Sequence, residues 1–247
     1  MSFFPCFIIP VYNHGTTVGA TVMALDAHGL PLYLVDDGSD ASTAEELARL
    51  ASNMPRVHLV RRETNGGKGA AVMSGINAAF ADGLTHALQV DADGQHALAD
   101  IPDFLFAARA TPEALICGVP EYDASIPKGR LYGRYVTHIW VWIETLSFEI
   151  QDSMCGFRVY PLAAVHRLIN EAHLGTRMDF DIEVLVRLFW RGVRIVNRPT
   201  RVTYPEDGIS HFRPLQDNLR ISWLHTRLFF GMLVRLPQLL TQRMGRR

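Results

Sequence analysis

Short apolar runs alternate with segments of helical spacing over the first 120 residues. These runs carry no strict polar alternation, and they cover residues 3–9, 32–35, 57–60, 87–90 and 114–119. Such runs are typical of strands buried on both faces of a parallel sheet. Between them apolar residues recur at i, i+4 and i+7, as in Val18, Val22 and Leu25. The pattern predicts an α/β fold with an open, doubly wound sheet, in which ligands bind beyond the carboxyl ends of the strands.

The second half of the chain has a different pattern and is interpreted as a lid and acceptor region built onto the first. An aromatic-rich helix is predicted over residues 131–149. The elements expected after it are helices near 162–172 and 179–191, an extended run at 193–204 and an amphipathic segment at 215–240.

Composition is typical of a globular protein that closes its own core. Of 247 residues, 48% are hydrophobic and 20% are charged. The 3 cysteines lack CxxC spacing, which argues against a disulfide framework or a zinc site. Residues 1–12 lack the pattern of a signal peptide, and the late apolar run at 228–234 is shorter than the roughly 20 residues that span a bilayer. We therefore expect a cytoplasmic protein, with peripheral binding to the inner face of the membrane as an option.

The formal net charge of −1 conceals two parts of opposite sign. Residues 1–186 hold 22 acidic and 12 basic residues, whereas residues 187–247 hold 3 acidic residues and 12 arginines. A basic segment favours an anionic partner. Because its arginines alternate with large apolar residues, an anionic membrane surface is preferred over nucleic acid; those apolar residues are Leu219, Trp223, Phe230 and Leu233.

Two carboxylates follow the fourth predicted strand, in the run Asp-Ala-Asp-Gly-Gln at residues 91–95. Asp91 and Asp93 can turn toward one hard cation, and Gln95 offers a neutral oxygen. A Mg²⁺ or Mn²⁺ ion with few protein ligands keeps positions open for phosphate oxygens. A solvated acidic turn is the alternative interpretation.

Two further motifs fit a nucleotide. Asp37 ends the second predicted strand and can accept hydrogen bonds from a base or ribose, although helix capping explains it equally well. The run Asn-Gly-Gly-Lys-Gly at 65–69 opens a helix and contains Lys68, an arrangement that suits a phosphate.

Three basic side chains in the second half are candidates for phosphate or metal contacts. Arg130 and Arg134 lie one helical turn apart and can grip one phosphate, or they belong to a solvated basic turn. His211 follows the last extended run and is a candidate metal or diphosphate contact, against a structural or surface role.

In their order and spacing, these motifs resemble family 2 glycosyltransferases of the GT-A fold. The resemblance is closest to the branch of dolichyl-phosphate mannose synthase and polyprenyl-phosphate glycosyltransferases. It covers about residues 3–205 and is carried by residues 7–13, 35–39, 65–69, 91–95 and 155–158. It implies a mostly parallel sheet with helices on both faces. The glycosyltransferase domain would span 1–212, with a nucleotide-sugar-binding half at 1–120 and an acceptor half at 121–212, and a basic amphipathic helical tail would span 213–247.

The resemblance also implies roles for single residues. Donor contacts would come from the residues Pro10, Tyr12, Asn13, Asp37 and Asp91. Metal ligands would be Asp91, Asp93 and Gln95, and the acceptor would meet Cys155 and Arg158. The residues considered above on their own chemistry complete these sets: Lys68 for the donor, His211 for the metal, and Arg130 and Arg134 for the acceptor. Two departures stand out, since His14 replaces the usual glutamate and Cys155 replaces a serine or threonine.

The function expected from the sequence is metal-dependent, inverting transfer of a sugar from a GDP- or UDP-linked donor to a lipid-linked or membrane-associated acceptor such as polyprenyl phosphate. A hydroxyl acceptor would need a general base, for which Asp181 is the first candidate and Asp152 the second. A sugar-nucleotide nucleotidyltransferase and a non-catalytic nucleotide-sugar-binding module are the alternatives.

Overall fold

The fold centres on a seven-stranded sheet with the strand order β3-β2-β1-β4-β6-β5-β7. The structure is a computed structural model that describes residues 2–122, 128–202 and 214–245. Its strands are β1 (Pro5–Val11), β2 (Leu32–Asp37), β3 (Val57–Arg62), β4 (His86–Gln89), β5 (Leu115–Tyr122), β6 (Arg158–Pro161) and β7 (Ile195–Val202). Strand β6 runs antiparallel to both of its neighbours, and the other named strands run parallel to one another.

Helices cover both faces of this sheet, as the sequence predicts. They are α1 (Gly15–Asp26), α2 (Ala41–Asn53), α3 (Lys68–Ala81), α4 (Ile101–Ala110), α5 (Lys128–Thr145), α6 (Leu162–Glu171), α7 (Phe180–Trp190) and α8 (Pro214–Gly245). One apolar layer joins the sheet to α3, α5, α6, α7 and α8. The opposite layer joins it to α1, α2 and α4. The two layers confirm the doubly wound fold.

Several predicted boundaries are wrong by a few residues. Strand β1 continues through Pro10, which lies beyond the last β1–β4 pair, so its missing N–H breaks no bond to β4. Helix α5 spans residues 128–145 rather than 131–149. It ends early because Leu146 adopts a left-handed conformation, with φ of 51°. Strand β6 has only 4 residues and was not predicted.

The last helix is longer than the amphipathic segment predicted over 215–240. Helix α8 has 32 residues and contains Pro237 within its length. It packs against α5 and α7, and Leu224 and Leu228 are fully buried in that contact. Over the described ranges, no helix combines the length and the apolar character needed to cross a membrane.

Candidate active site

The predicted donor-binding motifs meet at one edge of the sheet. Strands β1, β2 and β4 run parallel, so the residues that follow them share the carboxyl edge. Strand β1 ends with Pro10 and Val11, and Tyr12 and Asn13 follow the strand. The N–H of Asn13 donates to Ser39 Oγ at 3.1 Å, and its side-chain oxygen accepts from the N–H of Asp40 at 2.9 Å. Asn13 thus ties the loop after β1 to the loop after β2.

Asp37 anchors the glycine-rich loop at residues 65–69. Its buried carboxylate accepts hydrogen bonds from Arg62 Nε at 2.8 Å and from the N–H groups of Gly66 at 3.0 Å and Gly67 at 2.7 Å. The capping role left open for Asp37 belongs instead to Asp40, which accepts from the N–H of Thr43 at the start of α2. These hydrogen bonds hold the end of β2 next to the loop that begins α3.

Lys68 lies between two carboxylates that are far apart in the sequence. Its Nζ is 2.8 Å from Asp91 Oδ2 and 3.1 Å from Asp181 Oδ2. Burial alone would raise the pKa of Asp91, but the Lys68 ammonium and His96 hold it well below its ordinary value. Burial likewise opposes the charge of Lys68, whereas Asp181 and Asp91 raise the pKa of its ammonium above the ordinary value. Lys68 and Asp91 therefore stay ionised at neutral pH, and the Asp181 carboxylate lies on the other side of the ammonium.

The negative charge of Asp93 is less well stabilised than that of Asp91. Burial and the negative charge of Asp91 both raise the pKa of Asp93. Its Oδ1 accepts the N–H of Gln95 at 3.1 Å. An added cation beside Asp91 and Asp93 would therefore relieve an electrostatic cost that the folded chain already bears.

These two carboxylates fit a nucleotide-type metal site. Mg²⁺ in such sites uses one or two carboxylates together with substrate phosphates. The described residues contain no cluster of three or more His, Cys, Asp and Glu side chains that could hold an ion without such help. Gln95 lies two residues after Asp93, whereas His211 lies outside the described residues. Among the described residues, an ion at this pair would need further ligands, such as the phosphate oxygens of a bound diphosphate.

Three residues that support Asp91 were not predicted from the sequence. Gln89 donates to Asp91 Oδ1 at 3.1 Å and accepts from the Tyr160 hydroxyl at 3.1 Å. His96 Nε2 lies 3.4 Å from Asp91 Oδ2, and its ring stacks on Phe157. A Cβ on Gly156 would lie 2.6 Å from Lys68 Nζ and 2.9 Å from Asp91 Oδ2. A glycine is therefore required at position 156 because Lys68 and Asp91 leave no room for a side chain, and not because of its backbone angle.

Asp152, which was predicted to face the acceptor, is held by several donors. Arg134 Nη2 donates to its Oδ1 at 2.7 Å, and His138 Nε2 lies 3.3 Å from its Oδ2. The N–H groups of Met154 and Cys155 also donate to Oδ1, at 2.9 and 2.7 Å. Both oxygens of Asp152 therefore have ion-pair or hydrogen-bond partners. Asp181 is 4% exposed, and its Oδ1 has no hydrogen-bond partner in the described part of the chain.

Cys155 and Arg158 were both predicted to contact the acceptor, but the structure buries both side chains in the core. Burial raises the pKa of the Cys155 thiol to about 12. Arg158 is fully buried in β6 and donates to the backbone carbonyls of Asp181 and Ser153. These contacts favour a supporting role for Arg158, since it joins the start of α7 to the loop before β6. The side chain of Arg130 lies outside the described residues.

The chain has a doubly wound α/β sheet with acidic side chains at its carboxyl edge, and comparison with known proteins identifies this as a GT-A-like fold and identifies the family. The sequence profile of glycosyl transferase family 2 matches residues 6–173, so the chain belongs to that family. It is a glycosyltransferase that uses a nucleotide-sugar donor. This outcome favours the first function predicted from the motifs over the nucleotidyltransferase and the non-catalytic binding module.

The relatives lie within the predicted branch. The chain is 26% identical over 220 residues to polyprenol monophosphomannose synthase of Mycolicibacterium smegmatis, covering 82% of this chain and 78% of that one. It is 26% identical over 216 residues to undecaprenyl-phosphate mannosyltransferase of Micrococcus luteus, covering 82% and 85%. Among solved structures, glucosyl-3-phosphoglycerate synthase of Mycobacterium tuberculosis with Mn²⁺ and UDP-glucose gives a TM-score of 0.67 at 15% identity, covering 94% and 79%. That likeness shows the fold.

Proposed function

We propose that the protein transfers a hexosyl group from a GDP- or UDP-linked sugar to the phosphate of a polyprenyl lipid, with inversion at the anomeric carbon. The observation that carries the proposal is the cluster of Asp91, Lys68 and Asp181 beside the start of α3, at the sheet edge where nucleotides bind. The two relatives are named for a polyprenol and for undecaprenyl phosphate, which supports an acceptor of this class.

The donor is expected to lie across the loops after β1 and β2 and the start of α3. Asn13 orders the first two loops, and Asp37 holds the glycine-rich loop in place. The positive end of the α3 dipole and the Lys68 ammonium favour the diphosphate there. Pro10 and Tyr12 would line the nucleoside end of the same groove.

Asp91 and Asp93 would hold Mg²⁺ or Mn²⁺, with Gln95 and His211 as further proposed ligands. When bound, the ion offsets negative charge on the departing nucleoside diphosphate. Burial and the negative charge of Asp91 raise the pKa of Asp93, and a cation beside the two carboxylates would offset both effects, which supports this proposal.

The proposed reaction is a displacement at the anomeric carbon. An acceptor oxygen forms a bond to that carbon, while the bond from the carbon to the diphosphate breaks and its electron pair leaves with the nucleoside diphosphate. A lipid phosphate is already anionic near neutral pH and needs no strong base. For a hydroxyl acceptor, Asp181 would take the proton, since its Oδ1 is buried and unpartnered among the described residues. Arg134 and Asp152 would then shape the acceptor side.

Helices α5 and α8 are the proposed membrane-facing surface. They pack together, and His225 Nδ1 lies 2.8 Å from Glu144 Oε1 across the contact. Each helix also exposes large apolar side chains; on α5 these include Tyr132, Tyr135, Val136 and Ile139, and on α8 Leu215, Leu219, Trp223, Phe230 and Val234. Such a surface is suited to the interfacial region of a bilayer that carries the lipid acceptor, at the cytoplasmic face.

The test is a transfer assay with purified protein. GDP-mannose, UDP-glucose and UDP-N-acetylglucosamine would each be incubated with Mn²⁺ or Mg²⁺ and a short-chain polyprenyl phosphate. We expect a lipid-soluble sugar phosphate of inverted configuration, formed only with acceptor and metal. Asp91→Asn should abolish transfer, whereas Glu46→Gln on the surface of α2 should not. Full activity of Asp91→Asn, or full activity with a chelator present, would exclude the metal proposal.

A further inference from the structure

Lys68 pairs with one oxygen of Asp91, which is a proposed ligand of the metal ion. Its Nζ is 2.8 Å from Asp91 Oδ2, and the same oxygen lies 3.4 Å from His96 Nε2. The other oxygen of Asp91 accepts the amide of Gln89 at 3.1 Å. Oδ2 therefore already has two partners in the folded chain, and a cation that binds this oxygen must displace one of them.

Packing makes Lys68 the partner that moves most easily. Gln89 is fully buried and is also held by Tyr160, and the His96 ring stacks on Phe157. Lys68 has a flexible aliphatic side chain, and that side chain is 18% exposed. It also has a second carboxylate within reach, because Asp181 Oδ2 is 3.1 Å away. The ammonium can leave Asp91 without losing its only counter-charge.

The backbone of Gly156 limits the space around Asp91 Oδ2. A Cβ on Gly156 would lie 2.6 Å from Lys68 Nζ, 2.7 Å from Gln89 Nε2 and 2.9 Å from Asp91 Oδ2. The Gly156 backbone thus closes one side of the ion pair. Two positive charges at one oxygen would also repel each other strongly in this partly buried place.

We propose that Lys68 is a positioning residue that takes the place of the divalent ion at Asp91 in the free enzyme and shifts toward Asp181 and the donor diphosphate when the ion binds. The inference rests on the proposed metal site. It implies that the ion binds weakly to the free enzyme and that nucleotide and ion strengthen each other's binding, as linkage requires.

The experiment is a Mn²⁺ titration followed by the electron paramagnetic resonance signal of the free ion, with and without GDP or UDP. Without nucleotide, Lys68→Met should bind Mn²⁺ about tenfold more tightly than the natural protein, because the competing charge is gone. Lys68→Arg keeps the charge and should stay close to the natural protein. Added nucleotide should raise the Mn²⁺ affinity of the natural protein more than that of Lys68→Met.

Arg61→Met is the matched control for total charge. Arg61 lies at the same sheet edge but pairs loosely with Asp36, at 3.6 Å, and does not approach Asp91. Its loss should leave Mn²⁺ affinity unchanged. Thermal unfolding would verify that each variant folds. If Lys68→Met does not fold, the double variant with Asp181→Asn removes one positive and one negative charge together, and it should bind Mn²⁺ more tightly than Asp181→Asn alone.

The outcomes separate the two proposals. If the natural protein binds no Mn²⁺ with or without nucleotide, the metal site itself is wrong, and this inference falls with it. If the natural protein binds Mn²⁺ but loss of Lys68 leaves the affinity unchanged or weaker, the role of Lys68 is overturned while the metal site stands.

Discussion

Arg134 and Asp152 form a two-point ion pair, in which the guanidinium Nη2 donates to Oδ1 at 2.7 Å and Nε donates to Oδ2. Oδ1 also accepts the N–H groups of Met154 and Cys155. The pair therefore joins α5 to the loop that enters β6. An arginine predicted to grip the acceptor phosphate already has a carboxylate partner in the folded chain.

Removal of this arginine should weaken the fold. The side chains of Arg134 and Asp152 are 15% and 4% exposed, so Arg134→Met leaves a buried carboxylate without its main counter-charge. Breaking a buried pair on one side costs about 3 kcal/mol. We expect a loss of this order in the free energy of unfolding, measured by urea denaturation.

The control for that variant is Arg49→Met, which breaks the exposed pair with Glu46 on α2. It should leave the urea midpoint nearly unchanged, because surface pairs contribute little. Equal effects of the two substitutions would show that the Arg134 pair does not stabilise the acceptor half.

Gly156→Ala should damage catalysis more than folding. The added methyl group would collide with Lys68 Nζ and Gln89 Nε2, at 2.6 and 2.7 Å, and would displace the Asp91 cluster. Misplacement of a catalytic group by about 1 Å can cost a hundredfold in rate. We expect transfer to fall at least about tenfold, while the far-ultraviolet circular dichroism spectrum stays that of the natural protein.

Gly19→Ala on α1 is the matched glycine control. Its Cβ would meet Glu46 Oε1 at 3.5 Å, which is ordinary van der Waals contact. Transfer should be unchanged in this variant. Normal activity of Gly156→Ala would mean that the Asp91 cluster adapts to the methyl group without cost.

The carboxyl-edge placement of the acidic motifs could be predicted from the sequence, but their partners could not. Apolar runs that end in Asp36-Asp37 and in Asp91 identify strand ends, and parallel strands bring such ends together. The contact between Lys68 and Asp181 depends on how α7 packs beside α3, and residues so distant in sequence leave no local pattern. Gln89 lies within β4, where in the sequence it is only a polar residue in an apolar run, so nothing indicates its contact with Asp91.

Strand β6 escaped prediction for a similar reason. It is 4 residues long and contains Arg158 and Pro161, so neither its length nor its composition is typical of a buried strand. It is held by antiparallel pairing with β4 and β5 and by buried Arg158, whose guanidinium donates to two backbone carbonyls. Only the folded arrangement supplies those carbonyls.

The stability of the protein should fall in mildly acidic solution, in part through His86. Burial lowers the pKa of this imidazole, although a hydrogen bond to the Pro112 carbonyl partly opposes the shift. The folded state therefore binds the proton less readily than the unfolded state. The stabilisation from His86 is complete above the unfolded value of about 6.5 and is lost as the pH falls through the lower, folded value.

We therefore expect the melting temperature to decline between about pH 7.5 and about pH 5.5, and His86→Gln to show a shallower decline than the natural protein. His58→Gln is the control, because that side chain is exposed on β3, and its slope should match that of the natural protein. A His86→Gln slope equal to that of the natural protein would exclude His86 as a contributor.

Vesicle binding tests the proposed surface formed by α5 and α8. Trp223 and Val234 are 64% and 81% exposed, whereas two arginines of α8 already have acidic partners: Arg220 lies 3.5 Å from Asp217 and Arg227 lies 3.4 Å from Glu183. Apolar insertion should therefore contribute a large part of the binding, with anionic lipid adding to it.

In flotation assays we expect stronger binding to vesicles with anionic lipid than to neutral vesicles, and weaker binding of Trp223→Glu and Val234→Glu to both. Phe106→Glu is the matched control, since Phe106 is 70% exposed but lies on α4, so its vesicle binding should be unchanged. Equal losses in all three variants would indicate a general effect of the added charge, and failure of the natural protein to bind anionic vesicles would refute the proposed surface.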